Sequence, residues 1–359
     1  MTQRRSALRL LLISFASLAV TCKPSVVIAE SLPTRISDAD FWRLTEELSE
    51  RGGYFRSDNL VSNEVLFQAV IPELVRRTKP GGAYLGVGPE QNFTYIAALK
   101  ARIAFITDIR RGNLHTHLMY KALFELSSDR LEFVARLFTK SPAKGLGPSA
   151  TPQEILDLYE KTPTRDESAY KDNLAEIRRV LVDKHGFPLS SDDLEGIDHV
   201  YGNFYKFGPA ITYNSSSQSY GARGSSEPSY SHIMAQADSD GVGRGYLASE
   251  ENFKFVKNLE ERNLIIPVVG DFAGPKAIRA VGKYLKEHDT TVSAFYVSNV
   301  ESYLSRLWNV FCRNVASLPM DAESTFIRSA RPSSDRAFET SLGSMQSETK
   351  ACSDPDRGI

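Results

Sequence analysis

Apolar residues recur at helical spacing at Phe41, Leu44 and Leu48, behind Ser37 or Asp38 as N-cap, and Arg51-Gly52-Gly53 is expected to end that helix. Residues 62–77 predict a second helix with Val65, Leu66, Ala69, Val70 and Leu74 inward. After the Pro80-Gly81-Gly82 turn, a short strand at 83–88 runs into a glycine turn. A helix at 92–100, a strand at 102–109 and a long helix at 114–138 follow. Beyond a loop at 140–150, helical periods return at 152–161, 166–185 and 191–206. Residues 213–245 hold Ser, Gly and Tyr with little apolar pattern and predict a mobile lid. Then come a helix at 249–262, a buried-type strand at 264–269, a helix from Gly274-Pro275 to 287, a strand at 291–297 and a helix at 300–315. Residues 328–359 are rich in Ser, Arg and Asp and predict a disordered tail.

Strands alternating with helices predict an α/β fold: a Rossmann-like, mostly parallel sheet flanked by helices, with a helical insertion between the second and third strands. The expected division is a signal peptide at 1–29, N-terminal helices and the first half-domain at 30–139, the insertion and mobile loop at 140–248, the second half-domain at 249–327 and the tail at 328–359. Pro267 inside a strand cannot donate to a ladder, so it predicts a bulge or an edge position.

The N-terminus reads as an export signal. Arg4, Arg5 and Arg9 precede an apolar run at 10–20, too short to span a bilayer, and a small residue, Ala29, marks a cleavage position. Arg4-Arg5 also resembles a twin-arginine signal, Cys22 is a candidate for lipidation, and an uncleaved N-terminal anchor is the third variant. The expected location is periplasmic or secreted, with no transmembrane span in the mature chain.

Composition narrows the function classes. With 43 Lys and Arg against 44 Asp and Glu, no basic excess is available for a phosphate backbone, so nucleic acid is not an expected partner. Three cysteines without a CxxC exclude a zinc cage; Cys312 and Cys352 can pair in an oxidising compartment. The expected partner is a small-molecule ligand, and the oligomeric state is left open.

The chemistry candidates begin with Gly86-Val87-Gly88 after the first strand and Asp108 closing the second, twenty residues past Gly88. Such glycines let the backbone approach a ligand, the helix N-terminus offers free N–H groups, and the acid accepts from ribose hydroxyls. In Val268-Val269-Gly270-Asp271-Phe272, the acid can bond an adenine amino group and the ring can lie against the base. In this order the features resemble the Rossmann-like S-adenosylmethionine-dependent methyltransferases, over residues 60–112 and 249–315. The resemblance implies S-adenosylmethionine as cofactor, held by Gly86, Gly88, Glu90, Asp108, Ile109, Asp271, Phe272 and Ser298, the last followed by Asn299. Tyr84 stands where that family has an acid, and Glu90, at the third glycine, can replace it. Arg56, Asp58, Asn59, Arg110 and Asn203 are the substrate-binding candidates, and Arg111 and Asn113 flank the same edge.

Other motifs carry less. His115 and His117 are two apart on a helix, point about 200° from each other and cannot share a metal. Asp238-Ser239-Asp240-Gly241 lacks the spacing of a calcium loop, and no Gly-x-Ser-x-Gly elbow occurs. Two readings remain. One is a methyltransferase-like protein that works by positioning donor and acceptor, with no catalytic residue assigned. The other is an exported, non-catalytic module that binds a ligand or partner on a degenerate methyltransferase fold.

Overall fold

The computed structural model describes residues 31–142, 145–216, 227–330 and 339–353; the expected signal peptide lies outside them. The helices are α1 (Asp38–Leu48), α2 (Ile71–Arg77), α3 (Gln91–Leu99), α4 (Arg111–Leu126), α5 (Arg130–Leu137), α6 (Pro152–Lys161), α7 (Glu167–Arg178), α8 (Ser191–Phe207), α9 (Tyr230–Met234), α10 (Glu250–Glu261), α11 (Ala277–Glu287), α12 (Glu301–Leu304), α13 (Trp308–Ala316) and α14 (Met345–Thr349). The strands are β1 (Ala83–Gly86), β2 (Ile103–Asp108), β3 (Ile265–Val269), β4 (Val292–Ser298), β5 (Thr325–Ala330) and β6 (Glu339–Ser344). They form one sheet in the order β3-β2-β1-β4-β5-β6, with β6 alone antiparallel. The expected Rossmann-like α/β class is what the chain adopts, helical insertion included.

Strands β1 to β4 are short and mostly apolar because helices cover the sheet; every residue of β1, β2 and β3 is buried. Helices α1, α11 and α13 pack together as one layer, and α3, α4 and α10 as another. The chain winds outward from β1 to β3 and then returns across β1 to β4. The crevice at the carboxyl ends of β1 and β4 is therefore the switch point, where open α/β sheets bind ligands. Pro267 lies in the edge strand β3, as its missing N–H requires.

Several expected elements are corrected. Helix α1 is N-capped by Ser37 as expected but stops at Ser49, before the glycines. The 62–77 helix is confined to a 3-10 turn at Phe67–Val70 and to α2. Pro72 sits in the first turn of α2, and the N–H of Leu66, at φ 59°, goes to the Gln236 side chain (2.7 Å). The 114–138 helix breaks between α4 and α5, where the Asp129 side chain caps the N–H of Glu132 at 2.8 Å. Within 213–245, residues 217–226 lie outside the described chain, 227–238 is packed and 239–243 is exposed. Tyr230, Ile233 and Met234 are buried, and Asp238 organises a plain turn by accepting from the N–H groups of Asp240 and Val242.

The expected tail is corrected where it is described, residues 331–338 and 354–359 lying outside the described chain. Residues 328–330 complete β5, and 339–344 pair antiparallel with it as β6. Neither strand has a strong apolar alternation, so the pattern did not announce them; Cys312 of α13 is disulfide-bonded to Cys352, 40 residues on. No helix among the described residues is long and apolar enough to cross a membrane.

A bridge closing such a loop restrains the unfolded chain, so Cys352→Ser should cost about 2–4 kcal/mol. Urea unfolding of the oxidised wild type against the variant measures it, and reductant should reproduce the loss in the wild type.

Candidate functional site

The glycine loop is built from within. A Cβ on Gly86 would collide with the Asn92 side chain. Asn92 Nδ2 donates to the carbonyls of Val87, Gly88 and Pro89 at 2.9, 3.1 and 2.7 Å, and its Oδ1 accepts from the Tyr84 hydroxyl at 2.9 Å. Tyr84 thus holds the side chain that ties the loop. Gly88 differs: its φ of 75° demands glycine, and a Cβ there would meet no atom within 4 Å. Glu90 opens α3 with a fully buried carboxylate. It accepts from the N–H of Ser62 at 3.0 Å, which fastens the segment before α2 to the start of α3. Burial pushes its pKa up to about 7, and its Oε2 has no hydrogen-bond partner.

Asp108 does not face an open cleft. Both carboxylate oxygens engage Arg110, Oδ1 to Nε at 3.0 Å and Oδ2 to Nη2 at 2.8 Å, and Oδ1 also accepts the Arg110 N–H at 2.9 Å. The residues are 4% and 8% exposed, a desolvated bidentate pair. Arg110 Nη1 reaches on to the carbonyls of Ser57 (3.2 Å) and Asp58. Residues 49–64 accordingly form a strap over the carboxyl ends of the strands. Glu50 N–H donates to the Val269 carbonyl at 2.9 Å and Gly53 N–H to that of Ile109 at 2.7 Å. Gly53 lies so close to the Ile109 side chain that any Cβ would overlap it. Further along, Asp58 pairs with His199 of α8 (2.9 Å), Ser57 donates to the Tyr213 carbonyl, and Phe55 meets Tyr303 of α12 edge-on at 5.3 Å.

The loop after β3 is likewise filled by the strap. Glu50 accepts from the N–H groups of Asp271 (2.9 Å) and Lys276 (3.1 Å), and Gly274 has no room for a side chain beside it. Asp271 Oδ1 closes its own turn through the Ala273 N–H at 2.9 Å. Phe272 is core: buried, stacked on Phe295 at 5.9 Å. After β4, Ser298 sits at φ 50° with its hydroxyl donating to Glu64, which also takes the Ser329 hydroxyl and Gln91 Nε2 (3.1 Å).

The remaining candidates scatter. Arg56 is exposed, its charge acting on Tyr213. Asn59 is a turn residue at φ 48°. Asn203 donates back along α8 to the His199 carbonyl at 2.8 Å. Arg111 and His115 both bind Asp193, at 2.6 and 2.9 Å, locking α8 to α4, which come so close that a Cβ on Gly196 would strike the His115 ring. Asn113 and His117 are buried, on a helix that is buried at every position from Asn113 to Phe124. No group of three or more His, Cys, Asp or Glu suited to a metal occurs among the described residues.

The residues expected to hold the adenosine half of S-adenosylmethionine do not fit it. Asp108 has both oxygens engaged by Arg110, Ile109 lies against Gly53, Asp271 turns one oxygen into its own loop and Phe272 is packed away. Glu50 and Glu64, which do this filling, had no sequence signal beyond being acids flanking a loop; Arg110, two residues from Asp108, had a spacing that permits pairing. The open feature is the space at Gly88.

Breaking the buried pair should be severe. Asp108→Asn or Arg110→Met alone should cost about 3–5 kcal/mol, and the double variant less than their sum; a double-mutant cycle in urea reads the coupling. Glu90 gives a pH signature. Its pKa is raised on folding, so its contribution is full below the unfolded value of 4.5 and is lost as pH rises through about 7. Glu90→Gln should therefore stabilise the protein by about 2–4 kcal/mol at pH 8 and hardly at all at pH 4, measured by unfolding at both.

Comparison with curated proteins yields no match. A family model matches residues 59–188 and 190–353, which take in the strap from Asn59 onward, the glycine loop, the sheet and the disulfide. On that match, the chain belongs to the family described as Domain of unknown function (DUF7790).

Proposed function

We propose that this protein is a non-catalytic module that binds a small molecule on a degenerate methyltransferase-like fold. The observation that carries the reading is the Asp108–Arg110 pair with Arg110 fastened to the strap. It occupies with the chain's own groups the place where a cofactor's ribose would be bound. Glu50 does the same after β3. The turn at Gly88 keeps clear space in the Cβ direction at the switch point, which is why binding is retained in the proposal while methyl transfer is not. Export is part of the reading and is supported by the Cys312–Cys352 bridge, a bond that persists in oxidising compartments.

The second reading, an S-adenosylmethionine-dependent methyltransferase, is favoured by the order of the motifs around the switch point. It requires Arg110 to leave Asp108 and the strap to lift. Calorimetry of the full-length chain with S-adenosylmethionine and S-adenosylhomocysteine separates the two. The proposal expects no saturable heat with either; micromolar binding abolished by Asp108→Ala would establish the methyltransferase site instead.

A further inference from the structure

Eight large apolar side chains are exposed among the described residues, and four of them lie together: Tyr54 at 86%, and Tyr303, Leu307 and Trp308 at 40–49%. These four include every exposed aromatic ring among the described residues. Tyr54 stands on the strap. Tyr303 is on α12, Leu307 ends the 3-10 turn that follows it (Ser305–Leu307), and Trp308 opens α13. The strap and this turn are joined through Phe55, whose ring meets that of Tyr303 edge-on at 5.3 Å. Single apolar residues on a surface are ordinary, but rings gathered where two segments touch mark a contact surface.

The charges around the patch are unbalanced. Arg51 and Arg56 on the strap and Arg306 on the 3-10 turn are exposed, and none of them is in an ion pair among the described residues. The acids nearby are engaged. Asp58 pairs with His199 and Glu301 with Arg328, while Glu50 and Asp271 accept from backbone N–H groups. The face is therefore aromatic and apolar with a positive rim. Tyr and Trp rings, apolar bodies with one polar atom, settle where an apolar phase meets water. Arginine beside them takes phosphate as its partner.

The way these side chains project favours lipid over protein. Tyr54 follows Gly52-Gly53 and is almost fully exposed, and the other three flank a chain break at Ser305, held at φ 42°. A protein interface needs a packed centre complementary in shape, whereas a bilayer needs only amphipathic side chains that reach into it and charge that matches its own.

We propose that this face docks on the surface of an anionic phospholipid bilayer, with Tyr54, Tyr303, Leu307 and Trp308 in the headgroup region and Arg51, Arg56 and Arg306 on its phosphates. The contact is peripheral, since no described helix is long and apolar enough to cross a membrane. It goes beyond the ligand-binding reading and does not depend on it.

The chain has two tryptophans, so Trp42→Phe leaves Trp308 as the reporter, and phenylalanine keeps a ring against Phe187. In the full-length chain with that change, vesicles of phosphatidylcholine and phosphatidylglycerol should shift Trp308 emission to the blue and shield it from acrylamide. Vesicles of phosphatidylcholine alone should bind on the order of a hundredfold more weakly, the effect of three arginines at an anionic surface. Replacing Arg51, Arg56 and Arg306 together by Gln should remove that preference. Leu307→Ser with Tyr54→Ser should weaken binding to both lipids and, at exposed positions, leave the melting temperature within a few degrees. Reading Trp308 keeps contact made by the apolar run at 10–20 from counting. The proposal is overturned if Trp308 emission does not move with vesicles, even where the chain sediments with them. It is overturned equally if both lipids act alike or if the arginine variant keeps its preference. Self-association abolished by Leu307→Ser, with Trp308 silent toward lipid, would instead assign the face to a second copy of this chain.

Discussion

The ion pair between Asp108 and Arg110 is the constraint on which the architecture of this site depends. Two charges withdrawn from water are tolerated only when nearly every lone pair and donor is used, and here they are. The carboxylate takes three donors and the guanidinium reaches four acceptor atoms. Because two of those acceptors are strap carbonyls, the end of β2 and the crossing segment are one electrostatic unit. Once the strap is fixed there, Glu50 is carried to the loop after β3, and Asp58 to α8. A second internal acid, Glu64, is brought over the ends of β4 and β5 by the same crossing. Acids of the chain itself thereby stand at the strand ends where a nucleotide-binding sheet presents groups to its ligand.

The fold was legible because its signals are local. Each parallel strand is a short apolar run bounded by glycine or a polar turn, and each amphipathic helix repeats its pattern over three or four turns. Residues 325–344 were illegible for the opposite reason. Thr340, Ser341 and Ser344 belong to a strand that is held by pairing with β5 and by a disulfide beyond it, neither of which leaves a hydropathic trace. The break between α4 and α5 was written in Ser127-Ser128-Asp129, side chains that compete for backbone donors, but the apolar period runs across it.

The site was legible only as positions. Gly86, Gly88, Asp108 and Asp271 do stand at the ends of the strands expected to carry them. Their use depends on partners distant in sequence, as with Asp271 and Glu50, separated by 221 positions, and spacing carries no information about that. Arg110 is the instructive case, since the residue offered as a substrate contact is instead the neutralising partner of the residue offered as a cofactor contact.

Pro267 has a consequence for how this molecule can meet another. Ala104 N–H bonds to the Leu264 carbonyl and Gly270 N–H to that of Asp108, so the even-numbered backbone groups of β3 face β2 and the odd-numbered ones face outward. Of the three that face outward, Pro267 has no N–H, and both the N–H and the carbonyl of Val269 are already taken, by the Ser49 hydroxyl and the N–H of Glu50. A foreign strand approaching this margin finds one donor, at Ile265, and no repeating ladder to read. The sheet therefore ends at β3 chemically as well as geometrically, and continuation into a fibre or a sheet-sharing dimer is barred along that side.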